Sequence, residues 1–154
     1  MNGDPSQAPS EPAPSPQVEV VGTGPGLAQE IRAGRHHLRA DEPVAAGGTD
    51  LGPNPYDLLL AALGACTSIT LHLYAARKKM PLVGVRVRLR HSRIHAEDCA
   101  TCETKQGMLD HIDLEIELTG PLTAEQRARL LEIAGHCPVH RTLDSEIDIQ
   151  SRLV

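Results

Sequence analysis

Two segments of the chain alternate strictly between apolar and charged residues. Residues 85–90 read VRVRLR and residues 112–118 read IDLEIEL, so one segment carries arginine and the other carries carboxylates at every second position. A period of two residues is typical of a strand with one buried face. Because opposite charges on facing strands stabilise an antiparallel pair, the pattern predicts a hairpin whose outer arginine and carboxylate side chains neutralise each other.

A long apolar segment precedes this hairpin. Asn54 suits the N-cap position and Pro55 the first helical position, Arg77 complements the last turn, and Pro81 ends the segment. The sequence therefore predicts a helix of about 26 residues, roughly 39 Å long at the standard rise. Its apolar residues leave almost no polar face, and a chain this short has few elements to cover such a helix. We therefore expect an obligate homodimer.

The remaining periodic segments complete the predicted order of elements. Residues 17–21, 27–31 and 36–40 predict a three-stranded meander. Residues 123–135 predict an amphipathic helix that begins with the capping-box spacing of Thr123 and Gln126. A short helical turn after Pro138 and a final strand over residues 146–153 follow. The order βββ-α-ββ-α-(α)-β is typical of an α+β fold with a mainly antiparallel sheet.

The N-terminal composition sets the expected domain boundary. Residues 1–16 are rich in proline, serine and alanine and carry almost no large apolar side chain. Such a segment buries too little surface to order itself, so we expect a disordered tail. Residues 17–154 are expected to form a single domain, which is long enough to bury a sizeable core.

Composition and charge exclude several classes of function. The formal net charge of −5 argues against nucleic acid as a partner, because binding to phosphates needs a basic face. No uninterrupted apolar stretch reaches the roughly 18 residues of a membrane span, and the first residues lack the features of a secretory signal. We therefore expect a cytoplasmic protein with four mostly reduced cysteines, which are more typical of catalytic, redox or metal-binding roles there.

Cys66 lies in the middle of the predicted long helix, among apolar residues. Its neighbours one turn away include Ala62, Leu63 and Ile69, and such surroundings disfavour the thiolate unless a cation approaches from another element. It is also too far from the N-terminus of its own helix to benefit from the helix dipole. From these residues alone, Cys66 is either a packed core thiol or a nucleophile held in a dry pocket.

Cys137 has a different local environment. It immediately precedes Pro138, which favours the first position of a helix, so Cys137 is a candidate N-cap residue. The helix N-terminus and the neighbouring His136, His140 and Arg141 would together favour the thiolate. By local chemistry, Cys137 is the more reactive of the two.

Cys99 and Cys102 form a CxxC motif in the predicted hairpin connection. With His91 and His95 nearby, the pair could hold a zinc ion. It could also be an accessory dithiol, or an exposed pair without an essential role.

Two segments together carry a family signature. GPNPYDLLLAALGACTSITLHLYA, followed about seventy positions later by IAGHCPVHRTL, resembles the OsmC/Ohr family of osmotically inducible and organic hydroperoxide resistance proteins. The resemblance covers about residues 17–154. It implies an OsmC-like fold in an intertwined homodimer, with two long central helices packed together and sheets from both chains around them.

The resemblance also implies an activity, that of a cysteine-based peroxidase without a metal or other cofactor. The cysteine that matches Cys66 attacks the distal oxygen of an organic hydroperoxide and becomes a sulfenic acid. The cysteine that matches Cys137 then condenses with it to a disulfide, which a dithiol reductant opens. Resolution by a nearby thiol protects a sulfenic acid from irreversible oxidation.

In the family an arginine on the N-terminal hairpin, assisted by a glutamate before the long helix, keeps the reactive cysteine ionised. Arg32 is the residue we assign to the arginine, with Arg35 and Arg39 as close alternatives. The glutamate has no match, since its position is taken by Tyr56 and the nearest acid is Asp57. Asp57 either replaces the glutamate or serves as a favourable residue at the helix start.

A second hypothesis follows from the missing glutamate. The chain could be a non-catalytic dimeric binding module whose apolar cleft holds a small hydrophobic ligand, with a metal ion at Cys99 and Cys102 as a further possibility.

Overall fold

The computed structural model describes residues 17–104 and 106–153. They divide into two compact units, with the boundary between Pro55 and Tyr56. The predicted tail over residues 1–16 lies outside the described residues, and the single domain over residues 17–154 stays a prediction. The elements, in chain order, are β1 Val18–Gly22, β2 Gln29–Ala33, β3 His36–Ala40, α1 Pro55–Arg77, β4 Gly84–His95, β5 Met108–Thr119, α2 Ala124–Ala134 and α3 Pro138–Leu143.

The N-terminal unit contains the predicted meander. Strands β1, β2 and β3 form one antiparallel sheet in that order, which confirms the three predicted strands within two residues. In the second unit β4 and β5 form an antiparallel hairpin. Helices and antiparallel sheets together make the chain α+β, as the sequence predicts.

A buried carboxylate organises the loop that follows β3. Asp41 is only 2% exposed. Its side chain accepts hydrogen bonds from the hydroxyl of Thr49 at 2.6 Å and from the backbone N–H groups of Glu42, Thr49 and Leu51. These bonds, that from the Thr49 hydroxyl above all, lower the pKa of Asp41 to about 2 against the opposing effect of burial. Asp41 therefore stays ionised and fixes this glycine-rich loop.

The β4–β5 hairpin has the predicted charge pattern. Arg86 lies opposite Glu117 and Arg88 opposite Glu115, and both arginines contact the Glu117 carboxylate at 3.2 Å. The prediction of neutralised outer faces is confirmed. The hairpin is longer than predicted, since each strand has 12 residues and β4 continues to His95.

Helix α1 packs one narrow face against other elements of the second unit. Its buried residues follow helical spacing and are Leu63, Gly64, Thr67, Leu71 and Ala75. A side chain at Gly64 would come within 2.8 Å of the Leu89 side chain, so glycine allows the helix to lie close to β4. Leu71 and Ala75 form the core with Leu130 and Ala134 of α2.

The opposite face of α1 carries apolar side chains that are exposed. Ile69 is 59% exposed and Leu73 is 63% exposed. By length and composition α1 is also the one helix among residues 17–104 and 106–153 that could cross a membrane, but a core helix of a soluble protein passes the same test. The sequence has no uninterrupted apolar run of that length.

The two C-terminal helices begin as predicted. In α2 the Thr123 side chain accepts from the Gln126 N–H and the Gln126 side chain accepts from the Thr123 N–H, so the capping box is present. In α3 Cys137 is the N-cap residue and Pro138 occupies the first position.

The predicted C-terminal strand is wrong. Residues 146–153 form no strand, and Ile147, Ile149 and Leu153 are 50%, 80% and 100% exposed. A strand requires a neighbour with which to exchange hydrogen bonds, and the two described sheets contain only β1–β3 and β4–β5.

Candidate active site

The two free cysteines lie at the junction of α1 and α3. Cys66, near the middle of α1, is partly exposed, and Cys137, at the start of α3, is fully buried. They are about seventy positions apart in the sequence. Both sulfurs nevertheless contact the same short stretch of backbone.

The first turn of α3 donates one hydrogen bond to each sulfur. The N–H of Val139 points to Cys66 Sγ at 3.5 Å, and the N–H of His140 to Cys137 Sγ at 3.3 Å. These N–H groups are free because the first turn of a helix has no carbonyl partner for them. Pro138 has no N–H, so the first two N–H groups of α3 each go to a different sulfur.

This arrangement supplies what the sequence of α1 alone lacks. Backbone N–H groups in the first turn of a helix have no carbonyl partner within the helix and carry partial positive charge, so they are available to a sulfur acceptor. Cys66 receives that donor from α3 rather than from its own helix. Sequence reasoning missed Val139, because a backbone donor leaves no residue-type signal and its position depends on how α3 packs against α1.

Thr67, which follows Cys66 on α1, joins Cys137 to the same network. It is fully buried; its hydroxyl donates to the carbonyl oxygen of Leu63 at 2.9 Å and lies 3.5 Å from Cys137 Sγ. A hydroxyl has one proton to donate, and the Leu63 carbonyl takes it. A Cys137 thiol can therefore donate its S–H to the Thr67 oxygen. Sequence reasoning missed Thr67 too, although a threonine beside a cysteine in an apolar helix is a visible signal.

A cavity of about 200 Å³ shares two wall residues with the contacts of the cysteines, although neither sulfur lines it. Leu63 and His140, which bond to the cysteine network, both belong to its wall. The remaining wall combines apolar residues with two carboxylates: Ile112, Leu114, Leu143, Asp110 and Asp144. A cavity of this size and lining can hold a small, mainly apolar molecule.

The contacts of Tyr56 were not predicted from the sequence. Its ring stacks on His91 with 4.3 Å between ring centroids, and His91 Nε2 lies 3.0 Å from Asp110 Oδ1. Tyr56 thus supports one wall of the cavity through His91. This contact also gives His91 a role other than binding a metal ion.

The other two predicted site residues are Arg32, which belongs to the N-terminal unit, and Asp57, which belongs to the second unit. Arg32 is on β2 and contacts Glu19 at 3.6 Å, with both side chains mostly exposed. Asp57 lies in the first turn of α1. Cys66 follows nine positions later in the same helix, which is about 14 Å along the helix axis. Any effect of Asp57 on that sulfur must pass through another group. The roles of Arg32 and Asp57 stay predictions.

Cys99 and Cys102 are joined in a disulfide. The expectation of a reduced pair is therefore wrong in this structure, since the α-carbons lie 5.5 Å apart, within bridging distance. A disulfide offers no thiolate to a metal ion, and no group of three potential ligands occurs among residues 17–104 and 106–153. The metal ion of the second hypothesis does not fit here.

Solved structures share this fold. The chain is similar to an organic hydroperoxide resistance protein OsmC from Legionella pneumophila, with 22% identity, TM-score 0.63, and coverage of 86% of this chain and 91% of that one. It is similar to the organic hydroperoxide resistance protein OhrB of Bacillus subtilis, with 22% identity, TM-score 0.58, and coverage of 87% and 93%. An OsmC-like protein from Mycoplasma pneumoniae gives 20% identity, TM-score 0.64, and coverage of 84% and 87%.

Sequence identities of 20–22% show a shared fold and do not by themselves show a shared function. No curated protein sequence matches the chain significantly. The family model for OsmC-like protein matches residues 47–152, which is more than half of the chain and includes both free cysteines. The protein therefore belongs to the OsmC-like protein family.

Proposed function

We propose that this protein is a thiol peroxidase that reduces organic hydroperoxides through Cys66 and Cys137. The observation that carries the proposal is the pair of hydrogen bonds from the first turn of α3, one to each sulfur. Two cysteines whose sulfurs bind adjacent backbone N–H groups are suited to form a disulfide with each other. The family match and the structural relatives named for hydroperoxide resistance support the same activity.

Burial supports a division of roles between the cysteines. Cys66 is partly exposed and accepts an N–H, so its thiolate is the group that a peroxide can reach. Cys137 is buried and contacts the Thr67 hydroxyl, which suits a thiol that reacts second. This assignment reverses the order of reactivity that local sequence chemistry suggested.

The proposed cycle has three balanced steps. The Cys66 thiolate attacks the distal peroxide oxygen, the O–O bond breaks, and an alcohol leaves after taking a proton, while Cys66 becomes a sulfenic acid. The Cys137 sulfur then attacks the Cys66 sulfur, and the sulfenic oxygen leaves as water with the Cys137 proton. A dithiol reductant opens the Cys66–Cys137 disulfide by exchange and is itself oxidised to a disulfide.

We also propose that the working form is a homodimer. Ile69 and Leu73 lie one turn apart on α1 and are both more than half exposed, and neighbouring exposed apolar side chains are typical of an interaction surface. A second copy would cover it, in agreement with the family resemblance.

Consumption of cumene hydroperoxide, with dithiothreitol as reductant, tests the activity. We expect Cys66→Ser to fall to the rate of the reductant alone. Cys137→Ser should consume about one equivalent of peroxide and then stall or over-oxidise, because no thiol resolves the sulfenic acid.

The double variant Cys99→Ser/Cys102→Ser is the matched control, because it removes two cysteines from outside the site and should turn over like wild type. Full activity in Cys66→Ser would contradict the peroxidase. Saturable binding of an apolar ligand without any peroxide consumption would instead support the binding-module hypothesis, for which the cavity lined by Leu63, Ile112 and Leu114 is the structural basis.

A further inference from the structure

We propose that the Cys99–Cys102 disulfide is a second redox centre, which exchanges its bond with an external dithiol that carries no negative charge beside its sulfurs. The proposal does not rest on the peroxidase function, because it concerns a different pair of cysteines. It adds a thiol–disulfide exchange activity in the loop between β4 and β5.

The disulfide joins two residues of one loop and connects no two elements of the fold. Cys99 and Cys102 are three positions apart, whereas a structural disulfide stabilises a protein most when it closes a long loop. The strands on either side are held in register by their own backbone pairing. Beyond that pairing, the N–H of Ala96 donates to the carbonyl oxygen of Gly107 at 2.8 Å. Reduction of the disulfide therefore leaves the hairpin in place.

The disulfide is also accessible to another molecule. Both cysteines are partly exposed, and Ala100, Thr101 and Glu103 around them are exposed. Exposed disulfides are the ones that thiols reduce readily, because an attacking thiolate must reach one of the two sulfurs. Two intervening residues is also the spacing of redox-active dithiols. Spacing and exposure together favour a pair that cycles between disulfide and dithiol.

The chain separates this pair from the peroxidase cysteines. Leu89 of β4 lies against α1 at Gly64, two positions before Cys66. His91 lies against Tyr56, nearer the start of that helix. From Leu89 to its end β4 advances by about 20 Å, at roughly 3.3 Å per residue, in the direction away from Cys66. The loop disulfide therefore exchanges with external partners rather than with Cys66 of its own chain.

Carboxylates beside the disulfide set the charge of a suitable partner. Glu97, Asp98 and Glu103 each lie within two positions of a cysteine, and all three are exposed. Residues 96–107 contain one basic residue, Lys105. A thiolate with a further negative charge is repelled at such a site, although water and salt screen the repulsion. We expect an uncharged thiol to react about threefold faster than an anionic one.

The exchange has two balanced steps. A thiolate of the external dithiol attacks one sulfur, forms a mixed disulfide with it and releases the other sulfur, which takes up a proton. The second thiol of the reductant then attacks the mixed disulfide, so the reductant leaves as a disulfide and both cysteines become thiols. The same steps in reverse pass two electrons from the reduced pair to an external disulfide.

The test uses the full chain with Cys66→Ser and Cys137→Ser, in which Cys99 and Cys102 are the two remaining cysteines. The oxidised protein is mixed with about a tenfold excess of reduced thioredoxin, and thiols are blocked with N-ethylmaleimide and counted by mass spectrometry. We expect two maleimides per chain, and recovery of the disulfide when the reduced protein is treated with bis(2-hydroxyethyl) disulfide. A pair that stays oxidised, or that does not form again, would overturn the inference.

The same count by peptide mapping of the wild-type chain keeps the test valid if the serine variant does not fold. Cys99→Ala/Cys102→Ala in the serine background is the control, and it should take up no maleimide and leave thioredoxin reduced. Peroxide consumption is not measured, so the proposal can fail while the peroxidase stands.

The choice of partner is tested with two monothiols, uncharged 2-mercaptoethanol and anionic 2-mercaptoethanesulfonate. Each rate of reduction is divided by the rate of the same thiol with bis(2-hydroxyethyl) disulfide. We expect the ratio of uncharged to anionic thiol to fall towards one at high salt and in the triple variant Glu97→Gln/Asp98→Asn/Glu103→Gln. Glu115→Gln is the matched control, because Glu115 is an exposed carboxylate on β5 outside the loop, and it should keep the wild-type ratio. A wild-type ratio of one, or a ratio that the triple variant leaves unchanged, would overturn the preference for an uncharged partner.

Discussion

Thr67 provides the sharpest test of how the resolving thiol is held. In Thr67→Val a methyl group replaces the hydroxyl, so the shape of the side chain is kept and the acceptor for the Cys137 S–H is lost. The carbonyl of Leu63 still has the backbone of α1 as a partner, whereas Cys137 is fully buried and water cannot replace the lost hydroxyl. The variant therefore removes both contacts of the hydroxyl, of which only the one with Cys137 reaches a cysteine.

The magnitude follows from the two hydrogen bonds of the lost hydroxyl. A buried hydrogen bond contributes about 1 kcal/mol net, so the free energy of unfolding should fall by about 1–2 kcal/mol. If the bond with Cys137 orients that thiol for attack, the resolution step should slow about fivefold, the factor that corresponds to about 1 kcal/mol.

Thr67→Ser is the matched control, because it keeps the hydroxyl and removes the buried methyl group. It should lose about 1 kcal/mol of stability but resolve at the wild-type rate. The assay mixes reduced protein with one equivalent of cumene hydroperoxide and follows the loss of the second thiol, with dimedone to trap the sulfenic acid. Wild-type resolution in Thr67→Val, or equal slowing in both variants, would refute this reasoning.

Three further predictions concern stability and assembly. Asp41→Asn should destabilise the protein at neutral pH. Because the low pKa of Asp41 stabilises the fold above about pH 4 and this contribution is lost as the pH falls towards 2, the difference in unfolding free energy between wild type and variant, measured by urea denaturation, should shrink over that range. A difference that stays constant with pH would contradict this prediction. Leu130→Ala, at a fully buried core position, should lower the unfolding free energy by about 2–5 kcal/mol. Leu131→Ala, at a neighbouring position that is 64% exposed, should change the unfolding free energy by less than about 0.5 kcal/mol. Equal effects of the two variants would contradict the described core. Ile69→Asp should convert the proposed dimer to a monomer in light scattering, and a variant of dimer mass would show that this face is not the interface.

The features that the sequence predicted well are set by neighbours along the chain. The capping box of α2 involves only Thr123 and Gln126, and the N-cap of α3 only Cys137 and Pro138. The hairpin charge pattern was also predictable, because strict alternation fixes which side chains share a face.

The features that the sequence did not predict depend on distant partners. The strand expected over residues 146–153 has suitable alternation but no neighbouring strand. The donor to Cys66 is the backbone N–H of Val139, more than seventy positions away, and Tyr56 supports the cavity through His91 on another element. Such contacts arise from packing, and residue type alone does not encode them.

A thiol count with disulfide mapping tests the central claim most directly. With Cys99 and Cys102 already joined, the protein has two free thiols per chain, Cys66 and Cys137. One equivalent of cumene hydroperoxide should reduce that number to zero and yield a peptide pair linked through Cys66 and Cys137. Two thiols remaining after the peroxide, or a new disulfide that does not join these residues, would contradict the account.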